Sequence, residues 1–329
     1  CTYSTSYFAP YQAAKVFSTL DHLTKGRIAW NVVTSYLPDA NANFGIGEQM
    51  DHDERYERAE EYLEVVYKLW EHSWEEDAAV RDVENDIHTD PNKVHEINHE
   101  GTWFSVPGPH MCEPSIQRSP VLFQAGQSGR GIDFAARHAE AIFAIYANLD
   151  TARESAKKVR AAVSAQGRAP EHVKIFPGIT VVVAPTDAEA RQKYETYKKY
   201  ASPEGALALF SGWIGIDLSA IEPGTKLDSI KTDAIQGLLT YFTTIDPERS
   251  WTVEAIGEFI SIGSIMPKVI GSPTTVADEL ERWMNESDID GFNLVPVNQS
   301  SGFVEFVDLV VPELQRRGRL RTSYASTTL

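Results

Sequence analysis

The chain of 329 residues predicts an α/β fold, on three observations. Apolar runs of strand length alternate with amphipathic helical stretches. Where no insertion follows a strand, the spacing is roughly 30 residues. No Gly-x-Gly-x-x-Gly follows the first clear strand, so the pattern suits a (β/α)8 barrel better than a doubly wound sheet with a dinucleotide fingerprint.

Taken in order, Cys1 to Thr5 is a β-rich, partly apolar run that reads as the end of a strand. Val16 to Leu23 has helical spacing, Lys25-Gly26 breaks it, and Arg27 to Thr34 (RIAWNVVT) reads as a buried strand. Asp51 to His72 is the clearest helix, with Tyr56, Ala59, Leu63, Val66, Tyr67 and Trp70 on one stripe. Residues 73–119 are polar and Pro-rich, too long for a simple connection, and read as an insertion. Strand Pro120 to Gly126, helix Gly131 to Glu140, strand Ala141 to Tyr146 and helix Thr151 to Gln166 follow. Then come strand Lys174 to Ala184, helix Asp187 to Tyr200, a mixed region at 202–273, helix Thr275 to Glu286, strand Gly291 to Val297 and helix Phe303 to Arg317.

The balance of 30 Lys+Arg against 47 Asp+Glu gives a net charge of −17. Binding to phosphodiester backbones or anionic lipid depends on basic side chains, so nucleic-acid and membrane-surface roles are disfavoured. Two cysteines are too few for a disulfide framework, which makes a reducing, cytoplasmic setting the expectation. No stretch approaches the length of an apolar membrane span, and the first ten residues carry no basic or apolar leader pattern.

Three groups of residues and one lone amide are candidates for chemistry. His95-Glu96-Ile97-Asn98-His99 matches the H-E-x-x-H pattern of zinc hydrolases, with His110 and Glu113 as further ligand candidates. That mechanism needs both histidines on one helix face, whereas the flanking Asp90-Pro91-Asn92 and Glu100-Gly101 indicate turn and extended chain. Gln124 to Gly131 (QAGQSGRG) follows a strand and leads into a helix. Its glycines, Ser128 and Arg130 read either as a phosphate cradle or as a turn with a capping serine. His52 and Tyr56 lie i,i+4 in the first turn of the clearest helix and point the same way, toward a ligand or, for Tyr56, the core. Asn31 places an amide in an apolar strand, where it needs a partner from the core or from a ligand.

Longer runs carry a resemblance. STLDHLTKGRIAWNVVTSY (Ser18 to Tyr36), HDERYERAEEYLEVVYKLWE (His52 to Glu71), DPNKVHEINHEG (Asp90 to Gly101), FSVPGPHMCEPSIQRSPVLFQAG (Phe104 to Gly126) and LVVPELQRRG (Leu309 to Gly318) resemble the flavin-dependent monooxygenases typified by nitrilotriacetate monooxygenase component A. That group lies within the bacterial-luciferase-like superfamily, and the resemblance covers essentially the whole chain.

The resemblance implies a luciferase-like (β/α)8 TIM barrel, here a single domain over 1–329 with insertions at 73–119 and 202–273. It makes Cys1 to Thr5 the end of the third barrel strand, so that two to three βα units, roughly 80–100 residues, are expected ahead of it. It implies reduced FMN and O2 as cofactor and co-substrate, a C4a-hydroperoxyflavin, and transfer of one oxygen atom to a small organic substrate. An NAD(P)H-dependent flavin reductase partner and a homo-oligomer are also implied.

By the same resemblance Thr2, Asn31, His52, Tyr56 and Ser128 are the flavin-binding residues. Thr2 and Asn31 would serve the ring system, His52 and Tyr56 the phosphate and ribityl chain, and Ser128 the phosphate. No catalytic residue or metal ligand is assigned. The acidic flavin contact of the second strand is expected outside this chain. Relatives commonly carry Glu-His where Phe8-Ala9 stands, which implies a more apolar substrate or a changed dimer contact. The alternatives are a zinc hydrolase on His95, Glu96 and His99, or a catalytically silent barrel fragment.

Overall fold

The computed structural model describes residues 1–35, 38–222, 224–226 and 240–328; residues 223 and 227–239, inside the mixed region 202–273, lie outside the described residues. The chain gathers into two compact units: Cys1–Ile142, Ala162–Val173 and Tyr324–Leu329 make one, and Phe143–Ala161 with Lys174–Ser323 make the other.

The first unit opens with β1 (Thr2–Ser4) and helix α1 (Pro10–Thr24). α1 starts six residues earlier than the apolar spacing predicted because Pro10 occupies its first turn, where a missing N–H costs nothing. It stops where Lys25 and Gly26 take φ of 55° and 78°. A Cβ on Gly26 would stand 2.8 Å from Thr328, so both conformation and space favour glycine. β2 (Ala29–Val33) follows, then α2 (Pro38–Asn43), which sequence reading missed, and α3 (His52–Tyr67). α3 runs into a π-helical turn, Lys68–His72.

The insertion at 73–119 holds two short antiparallel ladders: β3 (Ala79–Asp82) with β4 (Ile87–Thr89), and β5 (His99–Glu100) with β6 (Ser105–Val106). β7 (Val121–Gln124), α4 (Gly129–His138) and β8 (Ala141–Ala144) complete the series. The strands run parallel in the order β1, β2, β7, β8.

The predicted stripe of α3 is the core of this unit. Tyr56, Ala59, Leu63 and Val66 are buried against Phe17, Trp30 and Trp70. The Phe17 and Trp30 rings stack at 4.9 Å, and Trp70 meets both edge-on. Both indoles are satisfied: Trp30 Nε1 donates to the Tyr3 carbonyl at 2.9 Å and Trp70 Nε1 to that of Ala14 at 3.1 Å. Burial of these rings supplies the apolar drive that fixes α1 and α3 on the sheet.

In the second unit α5 (Leu149–Ala165) precedes β9 (Lys174–Val183), α6 (Asp187–Lys198) and α7 (Pro203–Ile214). Next come α8 (Val253–Ile260), β10 (Lys268–Gly271), α9 (Pro273–Ser287), β11 (Asn293–Leu294), α10 (Gln299–Glu305), a second π-helical turn at Phe306–Val310 and α11 (Val311–Arg316). β9 pairs in parallel with β10 and with β11. β10, the four residues that directly follow Pro267, was missed as a strand because it is too short to show a period. α6 carries a full capping box, Thr186 with Glu189. Among the described residues no helix is long and apolar enough to cross a membrane.

Candidate functional site

The C-terminal ends of neighbouring parallel strands leave a crevice where loops converge, the usual place for a ligand in α/β proteins. In the first unit that crevice is a cavity of about 510 Å³. Val32 to Ser35 at the end of β2, Gln124 to Gly126 at the end of β7, and His52, Arg55 and Tyr56 from the first turn of α3 line it, with Thr2, Tyr7 and Ala40.

Helical spacing brings His52, Arg55 and Tyr56 to one side of α3, and the start of α4 faces them. Ser128 caps α4: its Oγ accepts from Gly131 N at 3.0 Å and lies 3.2 Å from His52 Nε2. His52 Nδ1 is 2.7 Å from Asp53 Oδ1. A ring that donates from Nδ1 to Asp53 and accepts at Nε2 from the Ser128 hydroxyl satisfies all three groups. The order Asp-His-Ser is that of a hydrolase relay. Here, however, the imidazole and carboxylate are exposed and the serine is committed to its helix cap, an arrangement that suits anion binding at a helix N-terminus.

The Tyr56 hydroxyl lies deeper. Gln124 Nε2 donates to it at 3.4 Å, and Gln124 Oε1 accepts from Gly126 N at 2.6 Å. Burial pushes the phenol above its ordinary range, against hydrogen bonds from Gln124, Ser128 and Thr34 that lower it. A Cβ on Gly126 would stand 2.4 Å from this hydroxyl, and one on Gly131 would stand 2.9 Å from it. The glycines of the QAGQSGRG run therefore give the tyrosine its room.

Thr2 and Asn31 are register partners on β1 and β2. Asn31 Nδ2 donates to Thr2 Oγ1 at 3.2 Å, and its buried Oδ1 has no partner among the described residues. Asn31 sits in the middle of β2, with Phe123 of β7 on its other side. The structure thus joins His52, Tyr56 and Ser128 in one cluster and Thr2 with Asn31 in another, and Thr2, His52 and Tyr56 line the cavity itself.

Sequence reasoning missed Tyr7 and Arg55. Arg55, which donates to the Met50 carbonyl at 2.6 Å, was visible as i+3 from His52 on the same helix face. Tyr7 carried no signal, because it is placed by Phe44, far along the chain. The two rings stack at 4.6 Å and 11°.

The H-E-x-x-H run does not form a helix. His95 Nε2 contacts Glu75 at 2.9 Å, whereas His99, on β5, lies between Lys68 Nζ at 3.1 Å and Glu61 Oε1 at 3.2 Å. His110 is buried with Nε2 2.8 Å from Ser18 Oγ, and Glu113 pairs with Arg81 at 2.8 Å. The candidate zinc ligands therefore face different partners. Among the described residues no group of three or more His, Cys, Asp or Glu side chains is placed to hold a metal ion.

The model of a family described as Luciferase-like monooxygenase matches residues 2–290. The chain belongs to that family. This luciferase-like monooxygenase is 46% identical over 328 residues to a dimethyl-sulfide monooxygenase of Hyphomicrobium sulfonivorans, a match spanning 100% of this chain and 68% of the relative. The crystal structure of DmoA from the same organism superposes with a TM-score of 0.93 at 46% identity, over 99% of this chain and 69% of that one. A riboflavin lyase crystallised with modified FMN and riboflavin gives a TM-score of 0.87 at 38% identity, over 99% and 72% of the two chains. Dibenzothiophene-sulfone and nitrilotriacetate monooxygenases are also relatives, as the sequence runs implied. These relatives are named monooxygenases, which makes the present chain a member of an oxidoreductase family, here with a parallel α/β sheet.

Proposed function

We propose that this luciferase-like monooxygenase is the oxygenase component of a two-component system, taking reduced FMN from an NAD(P)H-dependent reductase and oxidising a small organic substrate. The observation that carries the reading is the meeting of His52, Ser128 and the N-terminus of α4 beside the buried Tyr56 hydroxyl, at the C-terminal ends of β2 and β7. Bound reduced FMN supplies the electrons that activate O2, one atom of which enters the substrate while the other leaves as water.

The residues fit such a group. Ser128, His52 and the helix N-terminus suit a phosphate, and Tyr56 offers its hydroxyl to the polyol chain. Thr2 and Asn31 suit the polar edge of a ring system, since the Asn31 carbonyl oxygen otherwise stays buried without a partner among the described residues. Val32, Val33 and Ala40 line the cavity with apolar surface that excludes water.

The same reading takes 1–329 as one (β/α)8-barrel domain with insertions at 73–119 and 202–273, in a cytoplasmic homo-oligomer. Anaerobic titration with photoreduced FMN tests it. Saturable binding at one flavin per chain is expected, and its absence overturns the reading.

A further inference from the structure

We infer that the substrate is an uncharged organic molecule with an apolar body, received against the Tyr7 ring, which Phe44, Phe8 and Tyr3 back in a chain of ring contacts. The inference deepens the proposed flavin reading of the cavity and rests on it.

The chain of ring contacts is continuous. Tyr7 lines the cavity and stacks on Phe44; Phe44 meets the edge of Phe8 at 5.5 Å and 77°; Phe8 in turn stacks on Tyr3 at 4.2 Å and 26°. Three of these rings come from β1 and the turn after it, and the fourth from the chain after α2. Ring contacts thus tie together the loops that follow two neighbouring strands. Phe8, between Phe44 and Tyr3, fixes this chain of rings behind Tyr7.

Among the described residues lining the cavity, only His52 and Arg55 can carry positive charge, and His52 is already engaged by Asp53 and Ser128. Arg55 is engaged by the Met50 carbonyl, and Arg58, on the next turn of α3, donates to the Thr5 carbonyl and stacks on Phe104 at 4.7 Å. A carboxylate brought against the Tyr7 ring would lose its water without gaining a cation, and it would approach a chain of net charge −17. An aromatic or thioether body gains contact area there with no such loss. The buried Tyr7 hydroxyl has no partner among the described residues, which leaves one donor for a neutral acceptor such as sulfur or an ether oxygen.

The test uses two probes that differ by one carboxylate, benzyl methyl sulfide and benzylthioacetate, in equilibrium dialysis against the full chain loaded with oxidised FMN. Flavin fluorescence quenching reads FMN binding separately. The neutral sulfide is expected to bind at least about 10-fold tighter than the carboxylate. Phe44→Ala and Tyr7→Ala should each weaken the sulfide by about 10-fold while leaving FMN affinity within about two-fold. Tyr7→Phe, which keeps the stack, should lose only the hydroxyl's share.

Equal or reversed preference in the wild-type chain overturns the inference whether or not the variants fold. So does an FMN-loaded chain that binds neither probe, or variants that bind the sulfide unchanged. Failure of the chain to bind FMN in either redox state overturns the flavin reading itself, and this inference with it.

Discussion

Nε2 of His52 lies 3.2 Å from Oγ of Ser128, across 76 residues of chain. The contact joins the first turn of α3 to the cap of α4, and Tyr56, one turn further along α3, is held beneath it by Gln124. Two loops that follow different strands thereby share one polar cluster, whose chemistry is that of an anion site.

Ser128→Ala tests the phosphate role apart from the ring. Loss of the cap costs about 1 kcal/mol of stability. FMN affinity should fall by about 10-fold while riboflavin, which lacks the phosphate, binds as before. Fluorescence titration with both flavins reads the difference, and equal losses for the two would remove the phosphate assignment.

Gly126→Ala places a methyl 2.4 Å from the Tyr56 hydroxyl, a distance at which one of them must move. The variant should lose about 1–3 kcal/mol in urea unfolding. Adding Tyr56→Phe to the same chain should restore part of that loss, because the nearest clash is with the oxygen and the next is with Gln124 Nε2 at 2.5 Å. A double variant no more stable than Gly126→Ala alone would mean that Gln124 or the backbone, not the hydroxyl, sets the limit.

His110 gives a pH dependence of stability. Burial lowers its pKa from 6.5 to about 4, while its ring bonds Ser18. Between those values the unfolded chain binds a proton that the native chain does not, so stability falls as pH falls from 6.5 to about 4. The shift corresponds to about 3 kcal/mol at the acid end of that window. Urea midpoints measured across this range should therefore be flatter for His110→Phe than for the wild-type chain.

Glu61 anchors the insertion to α3. Its carboxylate accepts from the backbone N–H groups of Trp103 and Phe104 and lies 3.2 Å from His99 Nε2. Burial raises its pKa, but those hydrogen bonds outweigh it and hold the group below the usual carboxylate range. This stabilisation is present above the unfolded pKa of about 4.5 and is lost as pH falls through the lower folded value. Glu61→Gln should cost about 2 kcal/mol and speed proteolysis between residues 73 and 119; cleavage at the wild-type rate would show that the insertion is held elsewhere.

The parts that were legible in the sequence are the locally encoded ones. The α3 stripe, the breaker Lys25-Gly26 and the cap at Ser128 follow from spacings of a few residues, because helix periodicity and capping act within a turn or two. The strand at Lys268–Gly271 and the helix at Pro38–Asn43 were not, because neither is long enough to display a period.

By itself the sequence determined the α/β alternation, the apolar face of α3 and the stop of α1 at Lys25-Gly26, and the long runs that mark the monooxygenase family. Only the tertiary structure decided that Thr2 lies beside Asn31, that His52 meets Ser128, that the H-E-x-x-H histidines face different carboxylates, and that Tyr7 rests on Phe44. These contacts depend on strand register and on packing between distant segments, which no local spacing encodes.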